Sequence, residues 1–221
     1  FYSKCKDYGI KPIVGSEIYY EGTTSAAKLT GDGFPPLRPT DAYHLVVLAK
    51  SLVGYYSLCR IVSAPYSDPR TPVPLVRHEV LKHNADDLIA LSSCLRGEFA
   101  TLGELLAQQD GGLTGHLQDP AEEFKPLVSA LDKHVAEMKA IFGPDNYYIE
   151  IIDNNLPQQK RMIPLLAAAA THYNLPLVAT ADCHYLNPDD QEAHAVLTAI
   201  KNDLRMSDIR GRIQTSEFHV L

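Results

Sequence analysis

The chain has 221 residues, of which 45% are hydrophobic, and its formal net charge is −7. This length and composition predict one large folded domain, or two small ones, with a sizeable core. The acidic balance argues against a broad phosphate-binding surface, because nucleic-acid affinity depends largely on Lys and Arg. A nucleic-acid function would therefore need a local site or a larger protein around this chain.

The four cysteines are widely spaced and form no CxxC pair: Cys5, Cys59, Cys94 and Cys183. We expect reduced thiols or a single metal ligand rather than a disulfide framework. No apolar run approaches the ~18 to 20 residues needed to cross a bilayer, and no secretory leader is recognisable, which predicts a cytoplasmic protein. The chain opens on Phe1-Tyr2-Ser3-Lys4, which is typical of the middle of a helix, so we expect a fragment.

In the first half of the chain, the apolar pattern predicts strands over Lys11–Tyr20, Tyr43–Ala49 and Leu88–Ser92, and helices over 51–63, Leu75–His83 and Leu95–Gln108. The segment Glu21–Asp41 is rich in Gly, Pro and Thr, which favours a surface loop.

In the second half, the pattern predicts strands over Tyr147–Ile152 and Leu177–Thr180, and helices over Glu122–Ile141, Gln158–Tyr173 and Pro188–Ile200. Asp110–Pro120 contains three glycines and predicts an exposed loop. Short strands that alternate with longer helices are typical of an α/β domain.

Polar side chains lie in or directly after several of these strands: Glu17, His44, Cys94, Asp182 and His184. In barrel-like α/β folds, polar residues at the carboxyl ends of strands converge on one face, where sites form. His44 opens its strand, so it joins such a face only if that strand runs antiparallel to its neighbour. The long connection over 21–42 permits this arrangement, which would place Glu17 beside His44.

Asp182 and His184 form the sharpest local motif. Residues two apart in an extended segment point to the same side, so both side chains can bind one ion. A carboxylate with an imidazole suits zinc, manganese or iron. Cys183 between them is expected to point to the packed side of the strand. The alternative is an Asp that caps a turn next to a surface His.

The other residues also have structural explanations. Glu17 can pair with a Lys, His44 can be a satisfied buried histidine, and Cys94 can act as a small hydrophobe. The sequence Ser-Ser-Cys-Leu-Arg-Gly-Glu at 92–98 also allows a phosphate-binding loop, in which backbone amides near Gly97 bind an anion. The remaining histidines are expected on the surface: His78, His83, His116, His134, His172, His194 and His219.

Longer stretches resemble the PHP domain of bacterial DNA polymerase III alpha subunits. Gly9–Glu17 is similar to that family's GIKPIIGxE segment, Leu88–Glu98 to LIALSxCLxGE, and Leu175–Leu186 to IPLVATNDxHYL. Further similar segments follow the same order along the chain: His44–Lys50, Gly54–Ser63, Phe142–Ile151, Leu156–Arg161 and Ser216–Val220. Together they cover nearly the whole chain.

The resemblance implies a distorted β/α barrel that holds a cluster of divalent metal ions, zinc or manganese. Residues 1–202 would form the PHP-like domain, and 203–221 a connection toward the polymerase core. Glu17, His44, Cys94, Asp182 and His184 fall on the family's ligand positions. The family's HxH and DH ligand motifs lie upstream of the segment that matches Phe1, so we expect the barrel and its site to be incomplete at the N-terminus.

The resemblance also implies a function. Some family members are metal-dependent 3′–5′ exonucleases, and in others the domain is a scaffold for a separate proofreading subunit. The parent protein would be a DNA-directed DNA polymerase that contacts DNA. A free-standing PHP phosphoesterase acting on a small phosphate monoester is the alternative; the polymerase-type segments around Gln158 and Phe218 count against it.

Overall fold

The computed structural model describes residues 1–23, 42–67, 74–107 and 112–208, with the backbone alone at 112–114 and 202. It divides into two compact units. The first comprises Phe1–Glu150 with Leu165–Val178, and the second Ile151–Pro164 with Ala179–Leu221. None of the described helices is long and apolar enough to span a membrane.

The described residues form an α/β fold, as the sequence predicts. The strands are β1 (Gly15–Tyr20), β2 (Tyr43–Ala49), β3 (Leu75–Val76), β4 (Leu88–Leu91), β5 (Tyr147–Ile152) and β6 (Leu177–Thr180). The helices are α1 (Tyr2–Asp7), α2 (Leu52–Ser63), α3 (His78–His83), α4 (Glu98–Ala107), α5 (Gly112–Gln118), α6 (Lys125–Phe142), α7 (Pro157–Tyr173) and α8 (Gln191–Asn202).

The strands form one six-stranded sheet in the order β3-β1-β2-β4-β5-β6, which is open among the described residues and compatible with a PHP-type barrel. β1 pairs antiparallel with β2 and parallel with β3. β2 pairs antiparallel with β4, and β4 parallel with β5. Two antiparallel pairings in succession bring the end of β1, the start of β2 and the end of β4 to the same edge of the sheet.

The two-residue period of the central strands separates core residues from site residues. In β2, Tyr43, Leu45 and Val47 are buried, and the residues between them are only partly buried. In β1, Ile18 and Tyr20 are buried in the same way. The intervening side chains lie on the opposite face, which therefore has room for polar groups.

Helices α4 and α6 pack against each other and supply much of the first unit's core. The buried side chains on these two helices include Phe99, Leu102, Leu106, Leu131, Val135 and Met138. Each large apolar side chain that is fully buried contributes about 1.5–3 kcal/mol of stability. The turn that precedes α4 is thereby held on a well-packed element.

Several predicted segments differ from the structure, among them a loop, a helix start and a strand start. The prediction of an exposed loop over Asp110–Pro120 is wrong, because Gly112–Gln118 forms α5. Packing against α4 and burial of His116 and Leu117 outweigh the low helix propensity of glycine. The helix expected from Leu75 begins only at His78, since Leu75–Val76 pairs with β1. The first strand begins at Gly15 rather than Lys11.

In the second unit, α8 follows a capping box formed by Asn187 and Asp190. Its buried residues Ala195 and Ala199 pack with Met206. The assignment of 203–221 as a connection stays a prediction, and residues 209–221 lie outside the described part of the chain, as does most of the loop expected over Glu21–Asp41.

Candidate metal centre

Three of the predicted ligands meet in the first unit: Glu17, His44 and Cys94. Each offers one ligand atom, and these atoms all lie within 4.8 Å of one another. Among the described residues this is the one group of three or more His, Cys, Asp or Glu side chains that could hold a metal ion. The fold therefore brings these three residues together from separate segments of the chain.

Glu17 and His44 are neighbours because β1 and β2 are antiparallel, the condition that the sequence analysis set. The register pairs Glu17 with Val46 and Tyr19 with His44. Glu17 and His44 are thus diagonal neighbours on one face of the sheet. His44 Nδ1 lies 2.8 Å from Glu17 Oε1, and the Tyr19 ring packs edge-on against the imidazole.

Cys94 reaches His44 from the tight turn between β4 and α4. Its Sγ lies 3.9 Å from His44 Nδ1. The turn is fixed by the Gly97 amide, which donates to the Cys94 carbonyl at 2.9 Å, and by the His44 amide, which donates to the Arg96 carbonyl at 3.0 Å. A Cβ on Gly97 would lie 1.9 Å from the Ser92 carbonyl oxygen. Glycine is therefore required for this turn.

The alternative of a phosphate-binding loop over 92–98 loses support from the same contacts. The Gly97 amide, which that alternative would aim at an anion, is already hydrogen-bonded to the Cys94 carbonyl. The turn serves instead to place the Cys94 thiol near His44.

The electrostatics of the group favour a charged imidazole. Burial lowers the pKa of His44, but hydrogen bonds to Cys94 and Glu17, together with their negative charges, outweigh it and raise the pKa to about 9. A divalent cation would neutralise the same two acidic groups and would compete with that proton. The Nε2 atom of His44 is also buried and has no hydrogen-bond partner within the part of the chain that the structure describes. A carboxylate, an imidazole and a thiol together form a donor set that fits zinc.

Asp182 and His184 lie in the second unit, directly after β6. Asp182 has φ of +46°, so the segment is not extended as predicted. His184 Nδ1 donates to the Asp182 carbonyl at 2.7 Å and lies 3.9 Å from Asp182 Oδ1. The two side chains are thus still neighbours. Cys183 is exposed, so the expectation that it points to the packed side is wrong.

The side chains that support this segment were not among the predicted site residues. Asn154 is buried; its side-chain amide donates to the Ala181 carbonyl at 2.6 Å and accepts from Gln159 at 3.1 Å. The ring of His194 lies 5.2 Å from that of His184, and partial burial and the nearby His184 lower the pKa of His194. The motif gave no signal for Asn154, because its partner is a backbone carbonyl 27 residues away.

Two histidines that were expected on the surface are in the core. His134 and His116 are buried, so that expectation is wrong for both. His134 contacts Glu98 and Tyr147 through its two nitrogens. His78 is largely buried as well and contacts the Tyr20 hydroxyl at 2.6 Å. Helical periodicity predicts which side of α6 faces the core, but the polar partners that make a buried His favourable come from other elements.

The comparisons with known proteins agree with this fold. The model of the PHP domain family matches residues 1–154, and the chain belongs to that family. It is also similar over its whole length to proteins named DNA polymerase III subunit alpha. The identity is 35% with that of Treponema pallidum and 32% with that of Thermus aquaticus, of which the chain covers 17% and 16% respectively. The identity with the Deinococcus radiodurans protein is 32%, and the chain covers 15% of that protein. The chain thus spans about a sixth of the length of the curated relatives it matches.

Proposed function

We propose that the chain is the PHP domain of a bacterial replicative DNA polymerase III alpha subunit and that Glu17, His44 and Cys94 bind a divalent metal ion. The observation that supports this most directly is the group of three chemically different donor atoms within 4.8 Å of one another. It lies in the segment that the PHP family model matches. Asp182 and His184 remain predicted ligands of the second unit.

The chemistry of the donors favours particular ions. A thiol with an imidazole suits zinc, whereas the carboxylate is also compatible with manganese. A bound ion of this kind supplies a Lewis acid and a water of lowered pKa for phosphoester hydrolysis. The acidic chain would depend on that ion, rather than on Lys and Arg, to attract a phosphodiester. The reaction we propose is removal of nucleotides from a DNA 3′ end.

A scaffold function is the second candidate, and the exposed face of α2 favours it. Leu52, Val53, Tyr55 and Tyr56 are 66%, 55%, 43% and 55% exposed. Aromatic and aliphatic side chains that are grouped on one exposed helix are typical of surfaces that bind other proteins. In this case the domain would bind a proofreading subunit and would hydrolyse nothing itself.

Metal content of the purified 221-residue chain tests the first candidate. Elemental analysis of the wild type is compared with Glu17→Ala/His44→Ala, with Asp182→Ala/His184→Ala, and with Glu79→Ala/His83→Ala. Glu79 and His83 form an exposed ion pair at 3.5 Å on α3 and provide a matched control. We expect bound zinc or manganese in the wild type and the control, and loss of metal from both ligand variants. Equal stoichiometry in all four proteins would contradict the ligand assignment.

Hydrolysis assays then separate the functions. The metal-loaded chain is incubated with 3′-labelled single-stranded DNA and, separately, with a small phosphate monoester. Release of nucleotides from the DNA supports the exonuclease, and hydrolysis of the monoester alone supports a free-standing phosphoesterase. Activity on neither substrate, with metal bound, favours the scaffold.

A further inference from the structure

Ser93 contacts the candidate metal centre although it has no place among the predicted ligands. It lies between β4 and Cys94, and its side chain is buried. Its hydroxyl donates to Glu17 Oε2 at 3.3 Å. The other carboxylate oxygen of Glu17, Oε1, lies 2.8 Å from His44 Nδ1. Each oxygen of Glu17 thus contacts a different side chain, which fixes the plane of the carboxylate.

The backbone of Ser93 is in a conformation that does not favour serine. Its φ is +68°, in the left-handed region where a Cβ is unfavourable and glycine is the usual residue. Non-glycine residues held in this region are enriched at functional sites, where the surrounding structure imposes the conformation. At Ser93 the Cβ is a disadvantage for the fold, whereas the hydroxyl it bears contacts a candidate ligand.

We propose that Ser93 is a positioning residue for the metal centre: its hydroxyl orients the Glu17 carboxylate for metal binding. The inference rests on the proposed metal-binding function and adds to it the group that holds one ligand in place. Hydrogen bonds to ligating carboxylates orient them, and loss of such a contact weakens metal binding about 10-fold to 100-fold.

Two substitutions separate the hydroxyl from the backbone. Ser93→Ala removes the hydroxyl and keeps the Cβ, whereas Ser93→Gly removes both. Because metal binding depends on the hydroxyl, we expect both variants of the 221-residue chain to bind zinc about 10-fold more weakly than wild type, in competition with a chromophoric chelator. Because the backbone strain depends on the Cβ, the Tm of metal-free Ser93→Gly is expected to be no lower than that of Ser93→Ala.

Asn174→Gly is the matched control. Asn174 is also left-handed, with φ of +48°, and lies exposed between α7 and β6, so its replacement should leave zinc affinity unchanged. Loading with Co²⁺ supplies a second readout: the thiolate-to-cobalt absorption should persist in both Ser93 variants, because Cys94 is intact. Loss of that absorption together with a lower Tm in both variants would show a structural role and overturn the proposal.

The remaining outcomes are also decisive. If both Ser93 variants bind zinc as tightly as wild type, the positioning role is overturned, whereas the assignment of Glu17, His44 and Cys94 as ligands is unaffected. Weaker binding in Ser93→Gly alone assigns the effect to backbone freedom and also overturns it. A wild-type chain that takes up no zinc removes the proposed metal function, and the inference with it.

Discussion

The hydrogen-bonded chain Glu98–His134–Tyr147 offers the sharpest test of what stabilises the first unit. The residues Glu98, His134 and Tyr147 are 2%, 1% and 0% exposed. Glu98 Oε2 lies 2.9 Å from His134 Nδ1, and His134 Nε2 lies 2.8 Å from the Tyr147 hydroxyl. The Thr23 amide and hydroxyl both donate to Glu98 at 2.9 Å. The buried Glu98 carboxylate is therefore satisfied by groups from two other segments of the chain, α6 and the residues after β1.

We expect His134→Ala to destabilise the protein strongly, because it leaves the Glu98 carboxylate buried without its imidazole partner. Removal of one member of a buried ion pair costs about 3–5 kcal/mol. For a protein of this size, about 2–4 °C of Tm accompanies each kcal/mol, so the Tm should fall by roughly 6–20 °C. His172→Ala, at an exposed helical histidine, should change the free energy of unfolding by less than about 0.5 kcal/mol.

The assay is urea unfolding followed by circular dichroism at 222 nm, applied to a double-mutant cycle. The cycle comprises wild type, His134→Ala, Glu98→Gln and the double variant. If the two groups form a coupled pair, the double variant loses less stability than the sum of the single losses, by about 1 kcal/mol or more. Additive losses, or a His134→Ala cost below about 1 kcal/mol, would refute the reasoning.

The pH dependence of stability is a second test of the Glu98–His134 pair. Burial by itself raises the pKa of Glu98, but the charge of His134 and hydrogen bonds from His134 and Thr23 lower it below its usual value. The stability that ionised Glu98 contributes is therefore fully present above the unfolded pKa of about 4.3 and is lost as the pH falls through the lower folded pKa. Glu98→Gln should lose this part of the acid dependence, and parallel acid titrations of stability in wild type and variant would contradict it.

Three further predictions concern the turn before α4, the start of α2 and the chain's activity. Gly97→Ala should cost about 3 kcal/mol and reduce zinc uptake, because its Cβ would overlap the Ser92 carbonyl; unfolding and metal titrations that match wild type would contradict this. Ser51→Ala should cost about 1 kcal/mol in urea unfolding, since the Ser51 side chain accepts from the Gly54 amide and donates to Asp87; an unchanged midpoint would show that the cap is unimportant. We also expect no nucleotidyl transfer by this chain alone, since the resemblance predicts the polymerase core beyond Leu221; primer extension by the purified chain would disprove it.

The sequence alone predicted those elements whose signal is local. The strands Tyr43–Ala49, Tyr147–Ile152 and Leu177–Thr180 have the predicted bounds, because an apolar run between polar or turn residues is sufficient to define a strand. The PHP resemblance was also present in the sequence, since it depends on motifs in a fixed order. The family match over residues 1–154 confirms it.

The sequence could also name the candidate ligands but not their arrangement. It predicted that Glu17 and His44 would be neighbours only if their strands were antiparallel, and the pairing of β1 with β2 meets that condition. The contact with Cys94 depends on a turn that Gly97 permits and Ser93 completes in a left-handed conformation. Nothing in the local pattern around Ser93 indicates that its hydroxyl reaches Glu17.

Tertiary structure alone decided which polar residues are buried. His134 lies in the core because Glu98 and Tyr147, from α4 and β5, satisfy both of its nitrogens. Gly112–Gln118 is helical because α4 offers a surface on which to pack. The physical reason is the same in both cases: burial of a polar group or of a weak helix former is favourable only when distant segments supply its partners, whereas strand and helix periodicity is a property of neighbours along the chain.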